Sequence, residues 1–229
     1  MIRLLILLLL LAVPARAEVD LELVLAVDAS GSVNAYRFEL QKQGYAKAFT
    51  DPRVLRAIGQ GANQAITVTM IQWTGPFLQV QVVGWTEVRD AASAGVLSNL
   101  IAAAPRRLFG GGTSISGAID RAMALFPAVQ APGTRRVIDI SGDGANNIGR
   151  LASLARDEAV ARGVVINGLP ILNVEPDLAS HYREQVIGGP GSFLIAIDNY
   201  EQFSEAIVRK LVTEIAGRNV DKRFATILP

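Results

Sequence analysis

The chain has 229 residues, half of them apolar, with 22 basic and 21 acidic side chains and a formal net charge of +1. That balance, without a long basic run, gives no support to nucleic-acid or anionic-membrane binding, and the absence of cysteine rules out disulfides and thiolate metal sites. A chain of this size and apolar content fits one α/β domain stabilised by its own core.

The first seventeen residues read as a processing segment. Arg3 supplies a positive charge, residues 4–13 are uninterruptedly apolar, and Ala15-Arg16-Ala17 is an A-x-A cleavage site. This is the layout of a secretory signal peptide. The apolar run is too short to span a bilayer comfortably. The expectation is cleavage near Ala17, a periplasmic or secreted chain and no membrane insertion afterwards. Without Arg3 and Arg16, 20 basic residues stand against 21 acidic ones. The remainder divides into one domain over 18–217 and a surface tail over 218–229.

A strand is predicted at 21–27, ending in Asp28, Ser30, Gly31 and Ser32. Its apolar run has the length of a buried strand, and D-x-S-x-S places one carboxylate and two hydroxyls at its carboxyl end. Such hard oxygens suit Mg²⁺, Mn²⁺ or Ca²⁺ better than zinc or copper, and Mg²⁺ is the expected ion. The same motif also occurs in turns, where Asp and Ser bond their own backbone.

Helix follows at about 34–49 and ends at Asp51-Pro52, with a short turn of helix over 54–58. Alternating runs at 66–73 and 77–85, broken by Thr74-Gly75-Pro76, predict an antiparallel hairpin packed by Trp73 and Trp85. A helix at 90–104 should turn Val96, Leu97, Leu100 and Ile101 inward. After Pro105 and a glycine loop, Thr113 and Ser114 open another helix whose Ile115, Ile119, Met123 and Phe126 share a face. Strand at 136–141 leads into Asp143, Asn146 and Asn147. Helix at 149–162, strand at 164–169, a loose helix at 176–187 and a last strand at 192–197 come next. The final helix, 200–216, carries Phe203, Ile207, Leu211 and Ile215 at four-residue spacing. Asp139 lies inside an apolar strand and is read as a bonded core carboxylate.

Alternating strands and helices predict a three-layer, doubly wound, mostly parallel sheet with one antiparallel edge strand, a Rossmann-like architecture. In such folds ligands bind outside the carboxyl ends of the strands. Three segments bring oxygen groups to that edge: Asp28, Ser30 and Ser32; Thr113; and Asp143.

With D-x-S-x-S, then G-G-T-S-I-S-G-A-I, then I-S-G-D-G, the chain resembles the von Willebrand factor type A (VWA) domain. The resemblance implies a metal-ion-dependent adhesion site at Asp28, Ser30, Ser32, Thr113 and Asp143, and it covers nearly the whole chain after residue 17. RVIDISGDGANN, INGLPI and VIGGPG are further similar to a bacterial family of exported proteins with this fold and no assigned activity. Two carboxylates and three hydroxyls do not saturate a divalent ion, which leaves one position for an incoming oxygen. In the VWA family that oxygen is typically a Glu or Asp carboxylate of a partner protein. The expectation is therefore a monomeric binding module for a protein ligand, with Asn34, Ser114, Asn146 and Asn147 flanking the ion or serving as turn and cap residues. Thr113 also fits a helix N-cap, and Asp143 an Asx turn before Gly144.

The rival reading is a metal-assisted phosphohydrolase at the same site. Against it, His181 is the only histidine and lies far along the chain. The nucleophile elbow G-x-S-x-G is broken at Ser116, and the glycine loop lacks the G-K-[ST] of a P-loop.

Overall fold

Strand β1 (Leu21–Asp28) of the computed structural model, which describes residues 18–217, is buried at every position. Its alternation divides the interior. Leu21, Leu23, Leu25 and Val27 join one hydrophobic core, and Val24 and Ala26 join the other. A strand apolar on both faces needs cover on both, and each fully buried aliphatic side chain contributes about 1.5–3 kcal/mol.

The elements run α1 (Ala35–Thr50), α2 (Pro52–Gly59), β2 (Ile66–Trp73), β3 (Gln79–Val88), α3 (Ala91–Ala103), α4 (Ile115–Leu125), β4 (Arg136–Gly142), α5 (Ala152–Ala161), β5 (Val164–Pro170), α6 (Leu178–His181) and α7 (Phe203–Ala216). The sheet order is β3-β2-β1-β4-β5, parallel except for the β2–β3 pair. Helices α1, α2, α3 and α7 pack into the first core, and α4, α5 and α6 into the second. The three-layer, mostly parallel fold with one antiparallel edge is as predicted. Chain direction across the sheet reverses between β1 and β4, which puts the crevice at Asp28 and the residues after β4.

Local chemistry sets the boundaries. Asn34 caps α1 by accepting the Arg37 N–H at 2.9 Å. Asp51 closes α1 with its backbone N–H and caps α2 with its side chain, Pro52 following at the first helical position. All four of Phe203, Ile207, Leu211 and Ile215 are buried in α7. Trp73 is buried in the second core, and Trp85 packs on Phe126 and donates to the Leu125 carbonyl.

Four expectations need correction. Strand β3 begins at Gln79, because Gly75–Leu78 close a turn, Leu78 N–H to Gly75 O at 3.2 Å with Pro76 at its second position. In α3 the buried stripe is Ala94, Leu97 and Ile101, whereas Val96 and Leu100 face solvent; the small Ala94 allows close approach to the core. The loose helix is one turn of α6 continued by a π-helical turn, Tyr182–Val186. The sixth strand is reduced to isolated bridges, Leu194 to Gly168 of β5 and Ile197 to Ile171 just past it: the Asn167 side chain takes the Phe193 N–H, and Pro170 has no N–H to continue the ladder. The expected signal segment and the tail beyond 217 lie outside the described residues.

Both ends of the described chain sit at the amino ends of the strands. Val19 bridges Gly133, and Gly217 lies beside the Arg135 guanidinium.

Candidate metal centre at the carboxyl edge of the sheet

The end of β1 and the loop after β4 hold the two carboxylates together. Asp28 is fully buried; its Oδ1 accepts the Ser30 N–H at 2.7 Å and its Oδ2 faces the Asp143 N–H at 3.4 Å. Ser32 donates its hydroxyl to Asp143 Oδ1, and the Ser30 and Ser32 hydroxyls lie 3.3 Å apart. Thr113 is buried with its Oγ1 beside Gly144. Asp28, Ser30, Ser32 and Asp143 are thus drawn together, with Thr113 beside the residue that follows Asp143.

The glycine loop gets there by backbone bonds. Gly31 N–H donates to Gly111 O at 3.1 Å, and Thr74 Oγ1 donates to the carbonyls of Gly110 and Gly112. Gly110 and Gly111 have positive φ, which only glycine adopts without strain. Asn147 and Thr113 exchange two bonds, Asn147 N–H to Thr113 O and Thr113 N–H to Asn147 Oδ1, locking the loops after β4 and before α4 together.

The four flanking residues act as caps and ties. Asn34 caps α1. Ser114, fully buried, caps α4 by accepting the Gly117 N–H, so Thr113 is released from that task. Asn146 accepts from Ser116 N–H and donates to Arg150 O.

Burial dominates the electrostatics. It pushes the Asp28 carboxyl up to about 7, with the charge of Asp143 adding and the Ser30 hydrogen bonds opposing. Asp143 Oδ2 is buried without a hydrogen-bond partner, and so are the hydroxyls of Tyr182 and Tyr200. Both tyrosine hydroxyls are raised well above their ordinary range, first by burial and then by the charges of Asp28 and Asp143. Two tyrosine hydroxyls and one Asp143 oxygen, none with a hydrogen-bond partner, are groups that an ion or its water would satisfy. The donor set is oxygen only. Among the described residues no cluster of three or more His, Cys, Asp or Glu could hold a metal, so hydroxyls must complete any shell. These residues fit a hard divalent cation.

Sequence reasoning missed four participants. Arg37 donates to Ser32 O at 2.7 Å, and its guanidinium stands 3.6 Å from Asp143 Oδ2. Tyr182 reaches the site from the π-helical turn, an irregularity frequent at functional sites. Glu175 accepts the Ala145 N–H and His181 Nε2 the Asn146 N–H, so both pin the loop behind Asp143. The helical periodicity of Arg37 and the lone His181 carried no signal of this.

Two predictions arise here. A Cβ on Gly142 would stand 2.8 Å from Asp28 Oδ2 and 3.1 Å from the Tyr182 hydroxyl. Gly142→Ala therefore displaces the Asp28 carboxylate, with an expected stability loss of about 1–3 kcal/mol in urea melts. The second concerns His181, whose imidazole is held below its usual value by burial, against the opposing charges of Glu175 and Glu184. Its contribution is complete above pH 6.5 and is lost as pH falls through the lowered folded value. Relative to His181→Gln, whose amide oxygen accepts at any pH, the wild type should lose stability as pH falls below 6.5, by a fraction of a full hydrogen bond because the imidazole is half-exposed. Parallel curves for the two proteins would exclude the contact.

Residues 18–219 match the profile of a family described as "Protein of unknown function (DUF1194)". The chain belongs to this family. No curated protein matches it in sequence. Among solved structures, the proximal thread matrix protein 1 of the mussel byssus superposes with a TM-score of 0.65 at 15% identity, over 88% of this chain and 49% of that one. The same mussel protein has been solved "with zinc occupied MIDAS motif". A von Willebrand factor type A structure from Catenulispora acidiphila gives 0.58 at 11% identity, over 87% and 43%. The hypothetical protein BatB from Bacteroides thetaiotaomicron gives 0.50 at 20%, over 86% and 98%. The chain thus spans less than half of the mussel and Catenulispora chains. It carries the VWA fold, in a DUF1194 sequence. Among the described residues no helix is long and apolar enough to cross a membrane.

Proposed function

We propose that this chain is an exported, monomeric VWA module that holds a divalent cation, Mg²⁺, through Asp28, Ser30, Ser32, Thr113 and Asp143, and binds a protein ligand by its Glu or Asp carboxylate. The observation that carries the reading is the meeting of Asp28, Ser32 and Asp143, one Asp143 oxygen making no hydrogen bond and facing only the Arg37 guanidinium at 3.6 Å. The ion, when bound, supplies an electrophilic seat for an external carboxylate oxygen. Neutral hydroxyls leave its charge largely uncancelled, and burial keeps water from screening it. The zinc-occupied motif of the mussel protein supports the same use of this fold. Export, into the periplasm or beyond, follows from the processing segment at 1–17.

Binding is favoured over hydrolysis by the fate of the histidine. His181 Nε2 is committed to the Asn146 N–H, so it is not free to act as a general base for a metal-bound water. The test is capture from a native envelope extract by the immobilised protein. One or more proteins should be retained in Mg²⁺ and released by EDTA, with Asp28→Ala retaining none. Capture that ignores EDTA would overturn the proposal, and Mg²⁺-dependent turnover in a phosphatase screen would move it to the hydrolase.

A further inference from the structure

Large apolar side chains standing in solvent gather at the metal edge. Phe77 is 95% exposed, Phe109 77%, Leu151 64%, Leu78 51% and Ile148 46%. They come from three loops, 74–78, 105–114 and 144–151, which are fastened to one another. Thr74 bonds Gly110, Gly112 and the Ser114 N–H. A Cβ on Gly112 would meet Ile148 Cγ2 at 2.7 Å, and one on Gly149 would meet Pro76 Cγ at 3.4 Å. Through the Gly31–Gly111 bond this surface adjoins the D-x-S-x-S turn itself.

Scattered exposed apolar residues need no explanation, but five carried by three loops that are bonded to one another do. Its loops are already fixed, so docking costs little ordering entropy. Its charge is one-sided: Asp143, which immediately precedes the third loop, belongs to the metal centre itself, and the three loops contain no Asp or Glu. Arg106 stacks between Phe38 and Phe109, Arg107 is exposed, and Arg37 stands at Asp143. An apolar, acid-free collar beside a cation seat complements a partner that is both acidic and apolar. A bilayer fits less well, because its hydrocarbon would cover the polar centre at Asp28 and Asp143 without supplying an oxygen.

We infer that the three loops form a specificity collar for a protein segment in which one Asp or Glu is flanked by bulky apolar side chains. The carboxylate goes to the ion, and the flanking side chains pack on Phe77, Leu78, Phe109, Ile148 and Leu151. This rests on the proposed function and adds the chemistry of the partner to it.

The probe is a displayed library of random dodecapeptides, panned on the wild-type protein in Mg²⁺ and eluted with EDTA. Eluted peptides should carry Asp or Glu with Phe, Leu, Ile, Met or Trp within two positions. A synthetic copy of the strongest should bind the Phe77→Ser/Phe109→Ser double variant about 30-fold more weakly, the loss expected for an interface hot spot. Calorimetric Mg²⁺ affinity of that variant should be unchanged, since neither side chain bears an oxygen ligand. Acidic peptides without apolar neighbours, equal affinity for the double variant, or no eluted peptide despite bound Mg²⁺ would each overturn the collar while leaving the metal site standing. So would sedimentation with phosphatidylglycerol vesicles that the double variant loses. An absence of Mg²⁺ binding by the wild type would instead remove the proposed function beneath it.

Discussion

Asp28→Ala should lower magnesium affinity at least 100-fold by isothermal titration, on the expectation that a direct ligand costs no less than an outer-shell partner. The carboxylate is fully buried, and its two oxygens are held by the backbone N–H groups of Ser30 and Asp143. Among the described residues no cluster of three or more His, Cys, Asp or Glu stands here, and the nearby Glu175 is tied to the Ala145 N–H at 3.0 Å. Burial lifts the Asp28 carboxyl to about 7, so a proton competes with the ion below that pH. Wild-type affinity should accordingly weaken by about tenfold per pH unit below 7, as expected for one competing proton. The sign for the metal-free protein is opposite to that of an ordinary ion-paired aspartate. A folded value raised above 3.8 means that ionisation disfavours the fold as pH climbs from about 4 to 7, and the full cost stands above 7. In EDTA at pH 8, Asp28→Asn should therefore be more stable than wild type in urea. Mg²⁺ at 100 times its dissociation constant should add about 2.7 kcal/mol to wild type and nothing to the variant. Equal magnesium heats for wild type and Asp28→Ala would sink the assignment.

Lys210→Met should destabilise the protein by about 3–5 kcal/mol. Lys210 Nζ lies 2.6 Å from Asp139 Oδ1 and also contacts Glu214 Oε1, which accepts from Asn167 Nδ2 at 3.0 Å. Lys210 and Asp139 are wholly buried and Glu214 almost so. Glu214 is pushed up to about 7, first by burial and then by the charge of Asp139, and Asp139 is raised by burial against the pull of Lys210. Without the ammonium, two carboxylates face each other out of reach of water. Both raised values favour folding at low pH, so the variant should regain stability as pH falls below 7. The triple change Lys210→Met, Asp139→Leu, Glu214→Leu should recover most of the loss, because an apolar replacement leaves no buried charge unpaired. A loss under about 1 kcal/mol for Lys210→Met would mean that water already reaches the cluster.

What the sequence disclosed depended on how local the signal was. The sheet could be read because β1, β4 and β5 are short apolar runs ending in polar turns, and a parallel strand buried on both faces has few other sequences. The oxygen set could be read because D-x-S-x-S, the glycine loop and Gly-Asp-Gly each sit where a strand ends. Arg37 could not: on α1 it has the spacing of a surface residue, and only tertiary folding brings it to Asp143. Lys210 and Glu214 gave no signal either, since an i, i+4 pair of opposite charge is what an exposed helix face carries. Asp139 was legible as a core carboxylate, but it is held by an ion pair with Lys210 that the sequence did not show, and neither of its oxygens has a hydrogen-bond partner. The bridge-only segment at 192–197 has strand composition but gives up its backbone donor to Asn167, a contact no pattern encodes.

Val19 and Gly217 leave the sheet from the pole opposite Asp28 and Asp143. A tag, a biotin or a solid support attached at either end of the described residues therefore lies on the side away from the cation face. The orientation that a sensor chip or an affinity resin needs is thus set by the strand order.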